Sequence, residues 1–165
     1  MNKQELITIR KIKQESDNVF DDIFDEMFIK YNVEVEYFEQ HNNFILHISY
    51  TFKNNVTFYI KCSVFLHPQG GLQFSGDIYF KNNNPAPDEN YYKDSFWLKD
   101  YTTFRKIPFD FPQLIWKPVK NYEEGEQAAK KLFEYVKEIL LLDEMQKILF
   151  TDYWVNVPID YSPYK

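Results

Sequence analysis

A chain of 165 residues can bury about two-thirds of its unfolded surface in a single core, and its one cysteine, Cys62, excludes an intrachain disulfide and any multi-cysteine metal site. With 25 acidic against 19 basic residues the net charge is −6, which opposes non-specific attraction to nucleic acid and to anionic lipid. The polar N-terminus MNKQELITIRKIKQES, and a longest wholly apolar run of only Ile139–Leu142, suggest neither a secretory leader nor a membrane span, so a cytoplasmic protein is expected.

The first thirty residues read as a helix. Val19, Phe20, Ile23, Phe24, Met27 and Phe28 recur at steps of three and four and make one apolar stripe. Asp17, Asp21 and Asp25 are four apart, as are Asp22 and Glu26, so carboxylates line the remaining surface. Like charges at that spacing cost a few tenths of a kcal/mol per pair, so the phenylalanine stripe must hold the helix.

From Val33 the period becomes two. Val33, Val35 and Tyr37 alternate with Glu34 and Glu36, and Phe44, Leu46, Ile48, Tyr50 and Phe52 alternate with Ile45, His47, Ser49 and Thr51. Val56, Phe58, Ile60, Cys62, Val64 and Leu66 share a third face, and Leu72, Phe74, Ile78 and Phe80 a fourth. The turn-forming separators QHNN, KNN and PQGG are short, which favours an antiparallel meander.

Residues 81–120 are less regular. NNNPAPDEN is a loop by composition, Pro108, Pro112 and Pro118 break long elements, and WLKDYTTF and LIWK are each expected as a short strand. Asn121 with Glu124 three residues later reads as the cap of a helix with the core stripe Ala128, Ala129, Leu132, Phe133, Val136, Ile139 and Leu140. Asp143 with Gln146 restarts a second helix, followed by the tail DYWVNVPIDYSPYK. Without a repeat or a break in composition, residues 1–165 read as a single α+β domain: an antiparallel meander sheet of four or more strands, with N-terminal and C-terminal helices packed on its apolar face.

The chemistry-bearing residues do not assemble into a catalytic signature. Asp21-Asp22-Ile23-Phe24-Asp25 matches the DDxxD pattern that chelates magnesium diphosphate in prenyl synthases, but those enzymes need an all-helical cavity and this helix gives way to sheet. His41, His47 and His67 fall in no zinc-binding spacing, and four glycines leave little for a phosphate-cradling loop. Cys62 lies on an apolar strand face, where a thiol behaves as a small hydrophobe. No catalytic residue, metal or cofactor is expected.

Two stretches favour a partner. DNVFDDIFDEMF presents Asp17, Asp21, Asp22, Asp25 and Glu26 without an intervening base. DENYYKDSFWLKDY interleaves Tyr91, Tyr92 and Trp97 with Asp88, Glu89 and Asp94. Tyr and Trp are common interface anchors, and acids select a basic partner.

Size, acidity and the helix, meander, helix plan resemble the immunity proteins of bacterial toxin systems, including contact-dependent growth inhibition. The resemblance implies a non-enzymatic inhibitor that occludes the active site of a cognate toxin domain, commonly a basic nuclease. Two other readings stay open. Tyr59, Phe65 and Tyr79 lie on the polar sheet face and could stack the bases of a single strand, although the net charge makes nucleic acid a poor partner. A cavity between sheet and helices could also host a small ligand or an enzymatic site.

Overall fold

The change of apolar period near residue 30 is the boundary between a helix and a sheet. The computed structural model describes residues 3–27, 32–40, 43–84, 94–108 and 117–158. Their elements follow in the order α1 (Lys3–Met27), β1 (Asn32–Gln40), β2 (Asn43–Thr51), β3 (Val56–Leu66), β4 (Leu72–Asn82), β5 (Ser95–Trp97), α2 (Leu98–Phe104), β6 (Lys117–Val119), α3 (Tyr122–Leu140) and α4 (Asp143–Phe150).

Strands β1 to β4 form the expected meander, each antiparallel to the next. Two residues with positive φ, Gly70 and Gly71, make the β3–β4 turn. At the β2–β3 turn Asn54 donates from Nδ2 to the carbonyls of Ile148 and Thr151, each at 2.8 Å, and so ties that hairpin to the end of α4. β4's far edge is shared by two three-residue strands, β5 opposite Tyr79–Lys81 and β6 opposite Leu72–Phe74.

One sheet face forms the core. Its rows run across the strands as Ile48–Ile60–Ile78 and Tyr50–Phe58–Phe80–Phe96, and the rings of the second row follow one another at 5.9, 5.0 and 5.2 Å. α1 lies over β2 and β3, and α3 over β3 and β4. Phe20 joins the layers, with Tyr50, Phe58 and Phe133 at 6.0, 5.8 and 5.7 Å. Each fully buried side chain of this size contributes about 1.5–3 kcal/mol. α3 sits low on the sheet because glycines let it: a Cβ on Gly125 would lie 2.6 Å from Val64 Cγ2, and one on Gly76 2.5 Å from Leu132 Cδ2.

Several local expectations need correction. WLKDYTTF is not a strand: only Trp97 belongs to β5, and Leu98–Phe104 form α2, whose buried Leu98, Tyr101 and Thr102 recur at helical steps. Pro118 does not end an element but sits inside β6, a position open to proline because the strand lies at the sheet's edge. Of LIWK only Lys117 lies within the described residues. Leu66, expected inside, is 54% exposed at the end of its hairpin. α4 begins at Asp143 without a side-chain cap, and Gln146 instead donates to the carbonyl of Leu141 at 3.1 Å.

Candidate functional site

Three polar clusters are candidates, and the first is the acidic end of α1. The helix has no basic residue in its last turn, where Asp25 and Glu26 lie beside the negative end of the helix dipole. Bases from outside the acidic run relieve part of it: Lys13 pairs with Asp17 at 2.5 Å, and Lys130 of α3 approaches Glu15 at 3.9 Å. Asp21, Asp22 and Asp25 are exposed, with no ion pair among the described residues. Partial burial, then the neighbouring Asp17 and Asp25, push the Asp21 carboxyl above its ordinary value, against the pull of Lys13.

Helix geometry splits this run. α1 and α3 run side by side in the same direction, since Thr8 and Lys11 meet Glu126, Glu15 meets Lys130, and Phe20 meets Phe133. At about 100° per residue, Asp22 continues the line of Lys11 and Glu15 beside α3. Asp17 and Asp21 fall on the other flank. Because α3 lies toward β4, that flank is on the β1 side of the sheet.

The second cluster is the sheet face turned away from the helices. His47, Lys61 and Asp77 occupy one cross-strand row, and Ser49, Tyr59, Tyr79 and Trp97 the next. Tyr59 and Tyr79 stack at 4.4 Å with planes 6° apart, His47 lies 5.7 Å beyond Tyr59, and Trp97 5.1 Å beyond Tyr79. Lys61 Nζ adds a cation over the Tyr79 ring at 5.6 Å. Burial raises the Asp77 carboxyl, opposed by Lys61. These rings stand against one another, so the π-faces a base would need are occupied. Phe65, on the same side of the sheet, is only 5% exposed. The ladder leaves Trp97, 44% exposed, as its open end.

The third cluster was not legible from sequence. Glu144 of α4 accepts from Arg105 Nε at 2.7 Å, Arg105 Nη2 at 2.5 Å, and the hydroxyls of Tyr101 and Tyr153 at 2.9 Å each. Burial alone would raise its carboxyl, but the bonds from Arg105, Tyr101 and Tyr153 outweigh it and hold the group low. Arg105 and Glu144 are 39 positions apart, with no local pattern to join them. The arrangement clamps α2 and the segment after α4 to α4, which is a structural task.

The structure thus separates the residues singled out above. Asp17, Asp21, Asp22 and Asp25 share α1, with Glu26 in its last turn. Trp97 lies on the opposite face of the sheet, at the far edge, so it cannot share one flat interface with the helix. Asp94 leads into β5, its carbonyl accepting from Asn82 N–H at 2.7 Å. Asp88, Glu89, Tyr91 and Tyr92 lie outside the described residues. Among the described residues no three His, Cys, Asp or Glu side chains are grouped to hold a metal ion, and Cys62 is buried, its thiol pushed up by desolvation. No helix there is long and apolar enough to cross a membrane. No protein-family model matches the chain, and neither a curated protein nor a solved structure matches it significantly.

Proposed function

We propose that this chain is a non-catalytic protein-binding module that acts as an immunity protein, neutralising a basic toxin domain, such as a nuclease, by occluding its active site. The reading rests on the end of α1. Asp21, Asp22 and Asp25 stay exposed within a run of like charges, and Asp25 also lies in the last turn, beside the negative end of the helix dipole, so they do not serve the stability of their own helix. A nuclease cleft is positive because it receives phosphates. A ridge of carboxylates matches that field, speeds encounter and excludes the substrate without any chemistry of its own.

The test is co-expression with the product of the neighbouring reading frame, scored by cell growth with and without this chain, followed by association kinetics over a salt series. Protection from toxicity is expected. Replacing Asp17, Asp21 and Asp25 together by Asn should leave the fold intact, slow association and flatten its salt dependence. Unchanged kinetics at every salt concentration would remove the acidic helix from the interface, and a failure to protect would remove the immunity reading.

A further inference from the structure

The two edges of the sheet are finished differently. β4's far edge is closed by β5 and β6, each three residues long, one of them carrying Pro118. Those are ordinary devices against unwanted pairing. The opposite edge is β1, nine residues, NVEVEYFEQ. It pairs with β2 one-to-one from Asn32↔Thr51 to Gln40↔Asn43 without a bulge, and it contains no Pro, Gly or Lys. Among the described residues no strand pairs with its other side.

We infer that β1 is a docking edge that accepts a basic strand of a partner protein as an additional antiparallel strand. Main-chain hydrogen bonds would supply affinity and the acids would select the occupant. Glu34 and Glu36 fall in register with Ser49 and His47, and Glu39 with Phe44. A strand with Lys or Arg at alternate positions sets a base opposite each of the first two. A second copy of this chain is disfavoured, because antiparallel registers centred on Glu36 or Val35 would set Glu36 against Glu36 or Glu34 against Glu36, and like charges directly opposite destabilise a sheet. The Asp17 and Asp21 flank of α1 lies over the β1 side of the sheet, whereas Glu34 and Glu36 fall in the cross-strand rows of Tyr59 and Lys61 on the face turned away from the helices, so the acids that select the strand are those of the edge itself.

The inference rests on the protein-binding reading for its biological sense, but its test does not need the toxin. The probe is a nine-residue peptide alternating Lys with Val, compared with a Glu-for-Lys peptide, and the readout is amide hydrogen exchange of the full chain by NMR. In the free protein, alternate amides of Asn32–Gln40 should exchange fast. The Lys peptide at about ten times its Kd should slow that set about tenfold, the Glu peptide should not, and Glu34→Lys with Glu36→Lys should reverse the preference. Protection of both sets in the free chain would mean the chain covers its own edge. Protection that rises with protein concentration would mean a second copy does, and slowing confined to other elements would mean the peptide binds elsewhere; each overturns the inference. Loss of toxin neutralisation with peptide protection intact would sink the immunity reading alone.

Discussion

α1 and α3 lie side by side in the same direction, are 25 and 19 residues long, and are stabilised in opposite ways. α3 follows local rules from end to end. Asn121 Oδ1 accepts from Glu124 N–H at 2.8 Å, Glu124 accepts from Lys120 N–H at 2.5 Å, acids occupy the first turn and Lys137 the last. α1 ends in acids with no base in its last turn, and its helical state depends on Phe20 and Phe24 packing against Tyr50, Phe52 and Phe58. Charges that stabilise their own helix are explained by it, whereas charges that oppose it need another reason. The comparison therefore directs the functional reading to α1.

The largest expected effect tests the dependence of α1 on packing. Phe24→Ala should cost about 3–5 kcal/mol, since Phe24 is fully buried and meets Phe20, Tyr50 and Phe52 within 6 Å. Urea unfolding measures it, and a loss below about 1 kcal/mol would place Phe24 outside the large-to-small range for a packed core.

Gly125→Ala probes the close approach of α3. Helix propensity alone favours Ala by about 1 kcal/mol, but the added methyl would meet Val64, a branched side chain with little freedom to yield. Net destabilisation of about 1–3 kcal/mol is expected. A gain in thermal midpoint would show that β3 relaxes freely under the helix. Asn121→Ala removes the cap and should cost about 1 kcal/mol, with the first turn of α3 fraying in amide exchange before anything in α1. Equal fraying of both helices would erase the contrast between them.

The smallest effect carries the opposite sign. Asp21→Asn should stabilise the fold by a few tenths of a kcal/mol by removing repulsion. The Asp21 pKa is raised above 3.8 in the folded state, so its charged form opposes folding at neutral pH, and protonation relieves this as the pH falls through the raised value. The advantage of the Asn variant should thus be largest near pH 7 and shrink toward pH 4. Glu144 behaves the other way. Its pKa is lowered below 4.5, so its bonds contribute above that value and are lost as the pH falls through the folded pKa. Urea midpoints of Asp21→Asn and Glu144→Gln across pH 4–7 separate the two. A constant advantage for Asp21→Asn would mean that the repulsion is absent.

Legibility followed element length and sequence separation. Strands of nine to eleven residues gave several cycles of alternation, and their short turns left few registers to choose from. The seven residues of α2 were too few to separate a helical period from an alternating one. β6 could not be read because it is three residues long and includes a proline, and what permits it is its place at an edge. The Arg105–Glu144 pair, closed across 39 positions, leaves no local trace.

For the candidate site the division is physical. Residue order by itself determined that acids repeat on one helix beside a phenylalanine stripe and that apolar residues alternate along four strands, because both follow from the periods of the backbone. The Lys13–Asp17 pair follows from i,i+4 spacing on one helix, but only the tertiary structure decided that Lys130 of α3 approaches Glu15 while Asp21, Asp22 and Asp25 make no ion pair among the described residues. It also put Trp97 on the other face of the sheet and left β1 as the edge with no further strand among the described residues. Such facts depend on which element lies beside which. That is set by packing between residues far apart in the chain, where no local spacing can encode a neighbour.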